Sequence, residues 1–444
     1  MLELDDIQYI ILNRAPALIG RYEFLTFQNP ESGKAWLTHI SEKVCSVEKF
    51  RATFDQDNRW VTIGLTWNGL KALGVDDASL ATFPEEFKQG MVARAEILGD
   101  SGENHPDNWY DDMANPNLHA IVIFFARNAE ERERSKLEHQ KLIAKCPGVQ
   151  VISTLDLEAV PPFEYSHDHF GYRDRLSEPF IEGAGVKAPT SSETPIKAGE
   201  FILGYPDETG STPNLPQPEI LSRNGSYAAY RRLQEHVGEF RAFLSQNGAT
   251  SEEQELLAAK LMGRWRSGAP LVLAPEKDDA ALGGDPHRSN NFNYKEMDPH
   301  GYAAPLGCHI RRMNPRDTAA NMSRHRMVRR GGTYGPYLPP DAPENGVERG
   351  VSAFVICASL IRQFEFAQNV WANDRNFHEL SNERDPIIGN QDGSLEFKIP
   401  NRPIRKKITG LPSFTTLRGG AYFFLPGLKA LHYLSTLNNK KGPL

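Results

Sequence analysis

Cysteine is scarce in this chain: four in 444 residues, at positions 45, 146, 308 and 357, with no CxxC pair among them. That scatter excludes a disulfide framework and a cysteine-rich zinc site, and it fits a reducing compartment. Long apolar runs are missing as well, and no stretch approaches the roughly 18 residues that a membrane-spanning helix needs. At the N-terminus, MLELDDIQYIILNRAPALIG places Glu3, Asp5 and Asp6 where a secretion signal carries positive charge. Asn13, Arg14 and Pro16 then break its apolar run, so cytoplasmic residence is expected. Excess positive charge is absent too: 50 Lys and Arg against 57 Asp and Glu leave a formal net charge of -7. A general nucleic-acid binder needs many phosphate-neutralising cations, so that class is set aside.

What the chain does contain is the ordinary composition of a globular protein, 39% hydrophobic and 24% charged. Its length exceeds what one hydrophobic core usually serves, so more than one domain is expected. In the first part, IQYIILN (7–13), WVTIGLTW (60–67), HAIVIFF (119–125) and Val149–Leu155 read as strands. Helices are expected over Ala35–Phe50 and Ala129–Lys145, which gives the strand–helix–strand–strand–helix–strand order of a ferredoxin-like domain. Pro161 to Leu221 is loop-rich. Beyond it the pattern predicts helices over Tyr227–Leu244 and Ser251–Trp265, a strand over Val351–Ser359 and an amphipathic helix over Leu360–Trp371. A strand over Phe414–Phe424 and a closing helix follow, so a second ferredoxin-like domain is the natural inference. The expected fold class is therefore α+β, with two ferredoxin-like domains of antiparallel sheet and peripheral helices, divided as residues 1–220 and 221–444.

The chemistry concentrates in Gly301–Tyr337, which holds His309, His325 and a run of arginines: Arg311, Arg312, Arg316, Arg324, Arg326, Arg329 and Arg330. In an acidic chain, such a local basic island meets something anionic. A lone imidazole beside guanidinium groups suits a porphyrin, whose iron takes an axial ligand and whose propionates take cations. Upstream, SHDHFGYRDRLSEPF brings His167, His169 and Asp174 together. An Asp among arginines stays ionised and can accept a proton. His167-Asp168-His169 also admits a weaker reading as a metal cluster.

The strings FGYRDRLSEPFIEG, PLGCHIRRMNPR, HRMVRRGGTYGP, FVICASLIRQFEFAQNVWAN, DPIIG and FTTLRGGAYFFLPG occur in that order. Together they resemble the dye-decolorizing peroxidase family, most closely its larger members, typified by fungal enzymes and their bacterial relatives. The resemblance covers nearly the whole chain. It implies a haem b peroxidase that reduces hydrogen peroxide and oxidises bulky aromatic, dye-like or phenolic donors by one-electron steps. It implies His309 as the iron ligand, Asp174 and Arg329 as the catalytic pair on the opposite side, and Arg330 as the alternative to Arg329. His169 resembles the histidine that contacts a haem propionate, and Arg311 the arginine at the haem edge. Asp385 is the expected partner of His309 Nδ1, with Glu383 behind it. No nucleic-acid partner and no membrane span are expected, and a homo-oligomer is left open.

One departure stands out. Where the family has GxxDG, this chain has Gly171-Tyr172-Arg173-Asp174-Arg175. Arg175 either turns aside to a propionate or a carboxylate, or clamps Asp174 and weakens it as an acid–base group. The second case leaves open an alternative function, a haem-binding or haem-delivery protein with weak peroxidase activity.

Overall fold

The computed structural model describes residues 1–16, 19–110, 113–163, 165–185 and 193–437. Part of the loop-rich stretch expected from Pro161 to Leu221 therefore lies outside the described residues. Strands β1 (Ile19–Phe27), β2 (Arg59–Leu65), β3 (Ala120–Ala126) and β4 (Val149–Leu157) come from the first part of the chain. The second supplies β5 (Ser226–Glu235), β6 (Val328–Arg329), β7 (Gly332–Tyr334), β8 (Gly350–Cys357), the small pair β9 (Glu396–Ile399) and β10 (Lys406–Thr409), and β11 (Thr415–Leu425).

The main sheet has nine strands in the order β4-β1-β3-β2-β11-β5-β8-β6, with β7 also on β8, and all its pairings are antiparallel. Within each half the spatial order is the same: last strand, first, third, second. That is the ferredoxin-like arrangement twice over, joined where Leu65 of β2 meets Phe424 of β11. The sheet is buried on both faces because its strands are apolar on both. Along β3, Ile121, Ile123 and Phe125 enter one core cluster, whereas Ala120, Val122 and Phe124 enter the other. The two-residue period of a strand produces this division. Each fully buried large side chain contributes roughly 1.5–3 kcal/mol. The helices Pro30–Ser41 and Ala129–Ile143 cover the second face through Trp36, Leu37, Ile40 and Leu142. A third cluster, containing Phe170, Phe240, Leu257, Trp265 and Cys308, carries the His309 segment.

Several local expectations give way to tertiary context. Residues 7–13 do not form the first strand: Tyr9–Leu12 is one helical turn, and Ile19–Phe27 takes the strand's place. An unbroken buried apolar run has no period to tell the two apart. The Gln8 side chain nevertheless behaves as a strand residue would, accepting from Ile63 N–H and donating to the Ile63 and Pro426 carbonyls. The helix expected over Tyr227–Leu244 is β5 followed by the helix Val237–Asn247. The alanines and arginines of SYAAYRRLQE favour helix locally, but pairing to both β8 and β11 overrides that preference. The helix expected over Ala35–Phe50 is two helices, Pro30–Ser41 and Val47–Ala52, the second capped by the Ser46 hydroxyl. Leu360–Asn373 is largely π-helical. Among the described residues, no helix is long and apolar enough to cross a membrane.

Candidate active site

His309 opens a short helix, His309–Met313, capped by the buried Cys308. Burial pushes the Cys308 thiol up to about 12, so it stays protonated and unreactive. His309 Nδ1 lies 2.9 Å from Asp385 Oδ2 and 3.1 Å from Oδ1. Asp385 is fully buried, and its Oδ1 also accepts from the Ile387 and Ile388 N–H groups. Burial opposes its charge, but His309 and these hydrogen bonds prevail and hold the carboxyl below its ordinary range. An ionised carboxylate only accepts, so Nδ1 carries the imidazole proton and Nε2 keeps a bare lone pair. Among the described residues Nε2 has no hydrogen-bond partner. Glu383 is elsewhere: it faces Lys398 and does not touch His309.

The neighbouring Arg312 fastens this helix to the segment that carries Asp385. Fully buried, it donates to the carbonyls of Trp371, Asp374 and Glu383. Asp385 N–H in turn donates to the Ala372 carbonyl. Arg311 is committed away from any open edge. Its Nη1 donates to the Ala304 and Asp298 carbonyls and lies 3.3 Å from the Asp298 carboxylate, and its guanidinium stacks on Tyr294.

A second group forms around Asp174. Arg329 Nη1 is 3.3 Å from Asp174 Oδ1, and Arg329 Nη2 donates to the Leu176 carbonyl at 2.6 Å. Arg330, the residue after β6, instead bonds Glu178 at 2.7 Å and the carbonyls of Ile10 and Asn13. Arg14 joins the two sides, donating to Glu178 at 2.5 Å and to the Arg329 carbonyl at 2.7 Å. The Asp174 side chain is 43% accessible, yet burial is the largest single influence on its charge. An accessible group surrounded by protein in this way looks into a concavity. Against the burial, Arg329, Arg14 and Arg175 together hold the Asp174 carboxyl below its ordinary value. Arg175 takes the left-handed conformation (φ 63°), and its recorded hydrogen bond goes to the Ala15 carbonyl at 3.4 Å. Burial and then Arg14 push its guanidinium down to about 10.

The same concavity is rich in cations. Burial, then repulsion from Arg316 and Arg329, lowers Arg264 to about 9. Arg326 falls to about 10 through burial and the same two neighbours, with Glu193 and Glu178 as the nearby acids. Arg316, lowered chiefly by burial, keeps part of its guanidinium on Phe292 at 3.8 Å. Tyr294 links this group to the His309 segment, since it feels Cys308 and Arg311 as well as Arg264 and Arg316. Arg14, Arg175, Arg264, Arg316, Arg326 and Arg329 thus outnumber Asp174, Glu178 and Glu193. Such a grouping of positive charge favours an anion nearby. A bare imidazole lone pair and a cluster of guanidinium groups are the donor types that a haem's iron and propionates take. Arg14, Arg264, Glu178 and Glu193 had no motif to announce them; only Glu178 fell within a string already singled out.

His169 donates from Nε2 to the Tyr334 carbonyl at 2.8 Å, while its Nδ1 is buried with no partner among the described residues. Burial takes this imidazole down to about 4. His167 donates from Nδ1 to the Tyr165 carbonyl. The reading of His167-Asp168-His169 as a metal cluster fails: the described residues contain no group of three or more His, Cys, Asp or Glu placed to hold a metal ion.

Residues 6–156 match the family model of the DyP dimeric alpha+beta barrel domain. The chain is 30% identical to Peroxidase 2 of Mycetinis scorodonius, over 97% of this chain and 87% of the relative. An ancestral D-type dye decolorizing peroxidase superposes with a TM-score of 0.87 at 28% identity, covering 98% of this chain and all of that one. A dye-decolorizing peroxidase solved in complex with 2,6-dimethoxyphenol superposes at 0.86 with 27% identity and the same coverage. With agreement running from the first strand to the last helix, in sequence and in structure, this chain is a peroxidase and belongs to the dye-decolorizing peroxidase family.

Proposed function

We propose that this peroxidase holds haem b between His309 and the Asp174–Arg329 pair, reduces hydrogen peroxide there, and oxidises phenolic or dye-like donors one electron at a time. The observation that carries the reading is the presence together of a carboxylate-held imidazole, its Nε2 free, and an Asp–Arg ion pair backed by further guanidinium groups. When bound, the haem supplies the iron that receives the peroxide and stores its oxidising equivalents.

The protein's own part is proton handling, charge and position. Asp385 fixes the His309 tautomer and raises the donor strength of Nε2. Asp174, kept ionised by the surrounding guanidiniums, accepts the proton of the inner peroxide oxygen and returns it to the outer one. Arg329 offers positive charge where the departing oxygen develops negative charge. Arg14 and Arg330, each bound to Glu178, donate to the Arg329 carbonyl and hold its backbone in place beforehand. Arg326, with one hydrogen bond to the Ser177 carbonyl, is the proposed partner for a propionate, whereas Arg264 and Arg316 already donate to the carbonyls of Gly268, Ser289, Asn290 and Phe292. His169, its Nδ1 buried and without a partner among the described residues, is the proposed further contact for a propionate, and Arg311, bound to Asp298, supports the His309 helix.

The structure offers nothing specific to the haem-delivery alternative. Arg175 bonds the Ala15 carbonyl, and Arg329 remains the cation in direct contact with Asp174. The test is the absorption spectrum of the haem-loaded protein before and after one equivalent of peroxide. A Soret band that changes within the mixing time and returns on adding 2,6-dimethoxyphenol supports the reading. A protein that takes up no haem, or whose band ignores peroxide, refutes it.

A further inference from the structure

A cavity of about 610 Å³ lies behind the loop that carries Asp174, outside the residues assigned above apart from His169. Phe170, Val237, Phe240 and Leu244 form an apolar end, and Glu255 and Arg266 a polar one. Pro162, Tyr337 and Pro340 line it as well, with Tyr337 36% exposed. Its volume is that of a pocket for a ligand of one to a few rings. The segment from His167 to Gly171, which ends three residues short of Asp174, forms one wall. Gly171 (φ 91°) lets Arg266 lie across that wall, since a Cβ there would come within 2.9 Å of Arg266 Nη1.

The charges around this cavity are already engaged. Arg266 donates to both oxygens of Glu255 and to the Phe170 carbonyl. Arg241 donates to the carbonyls of Leu338, Pro339 and Ala342. No cation is therefore displayed for a sulfonate or carboxylate. The remaining surface is aromatic and aliphatic, and the Gln254 amide oxygen is left for a hydroxyl, its nitrogen being bound to the Gly248 carbonyl. We propose that this cleft binds the neutral phenolic electron donor, and that anionic dyes are oxidised elsewhere on the molecule. The proposal rests on the peroxidase reading for its meaning, though not for its binding test. A phenol held there gives one electron to the peroxide-oxidised enzyme and its hydroxyl proton to water at the mouth, and leaves as a phenoxyl radical. Two such events match each peroxide reduced to two waters.

The experiment is equilibrium binding of 2,6-dimethoxyphenol to the resting haem-loaded protein without peroxide, by calorimetry or saturation-transfer NMR. Two variants are compared: Gln254→Trp, which fills the cleft from the helix Ser251–Met262, and Tyr337→Ala, which strips its wall. The expected result is at least a tenfold weaker Kd for Gln254→Trp and about a threefold weaker one for Tyr337→Ala. In turnover, the KM for the phenol rises by the same factors and the KM for peroxide does not move. A sulfonated anthraquinone dye should fail to displace the phenol. Unchanged Kd in both variants, or displacement by the dye, overturns the proposal. A wild-type protein inert to peroxide that still loses phenol binding in Gln254→Trp would instead sink the peroxidase reading and leave the cleft standing.

Discussion

The Asp385–His309 pair offers the sharpest test, because two substitutions at one position separate its roles. Asp385→Ala leaves the His309 Nδ1–H and the Ile387 and Ile388 N–H groups without their acceptor. A buried donor left unmade costs about 1–3 kcal/mol, and partial rescue by water or a small backbone shift makes a loss of roughly 4 kcal/mol reasonable for the apoprotein. Asp385→Asn is subtler. Its amide oxygen still serves Ile387 and Ile388, but its NH₂ now faces Nδ1. Two donors cannot face each other, so the imidazole proton moves to Nε2, the tautomer that cannot ligate a metal. The Asn variant should therefore fold with a loss of only about 1 kcal/mol, yet bind haem about 10–100-fold more weakly. Urea unfolding of the apoproteins measures the first quantity, and titration with haemin, followed at the Soret band, measures the second. Asp385→Asn binding haemin as tightly as wild type, with an unshifted band, would refute the claim that this carboxylate sets the tautomer. There is also a pH signature. The folded carboxyl is depressed, so its contribution is present above the unfolded value and disappears as pH falls below about 4. The stability gap between wild type and Asp385→Ala should narrow in that window.

Asp174→Asn should take up haem normally and react with peroxide about 10²–10⁴-fold more slowly in stopped flow, the usual range for loss of an acid–base group. Arg175→Gly removes one of the cations that depress Asp174 and relieves a left-handed non-glycine residue. The acid limb of the peroxide rate profile should move to higher pH, and an unmoved limb with unchanged haem content would show that Arg175 does not tune Asp174. Asp168 is raised to about 7, chiefly by burial. A raised carboxyl contributes stability below the unfolded value and loses it as pH climbs toward 7, so Asp168→Asn should be more stable than wild type at pH 8 and not at pH 4. Burial and mutual repulsion raise Glu235 as well, so the gain belongs to the pair of carboxyls together. Equal urea midpoints for the two proteins at pH 8 would contradict it.

The elements that could be read from sequence are those whose period or composition is unambiguous. HAIVIFF is apolar at every position and flanked by polar loops, and it is the central strand β3. The charged run 129–143 could only be a solvent-facing helix, begun by the Asn128 cap. Where the run was ambiguous, as in IQYIILN and SYAAYRRLQE, partners distant in sequence decided the outcome. At the candidate site the motif strings pointed to His309, Asp174 and the Arg329–Arg330 pair. Sequence could not say which arginine meets Asp174, because the two are adjacent in the chain and only the fold sets which of them does.

By itself, then, the sequence determined the α+β class, the unambiguous elements such as β3 and the helix over 129–143, and the residue types that a haem peroxidase needs, since these follow from local pattern and motif. Tertiary structure alone decided the rest. It set Asp385 rather than Glu383 on His309, 76 positions away, and engaged Arg311 with Asp298. It also gathered Arg14, Arg264 and Glu178 into the arginine-lined concavity. Desolvation and charge act through space, and the chain brings these groups within reach of one another only once it is folded.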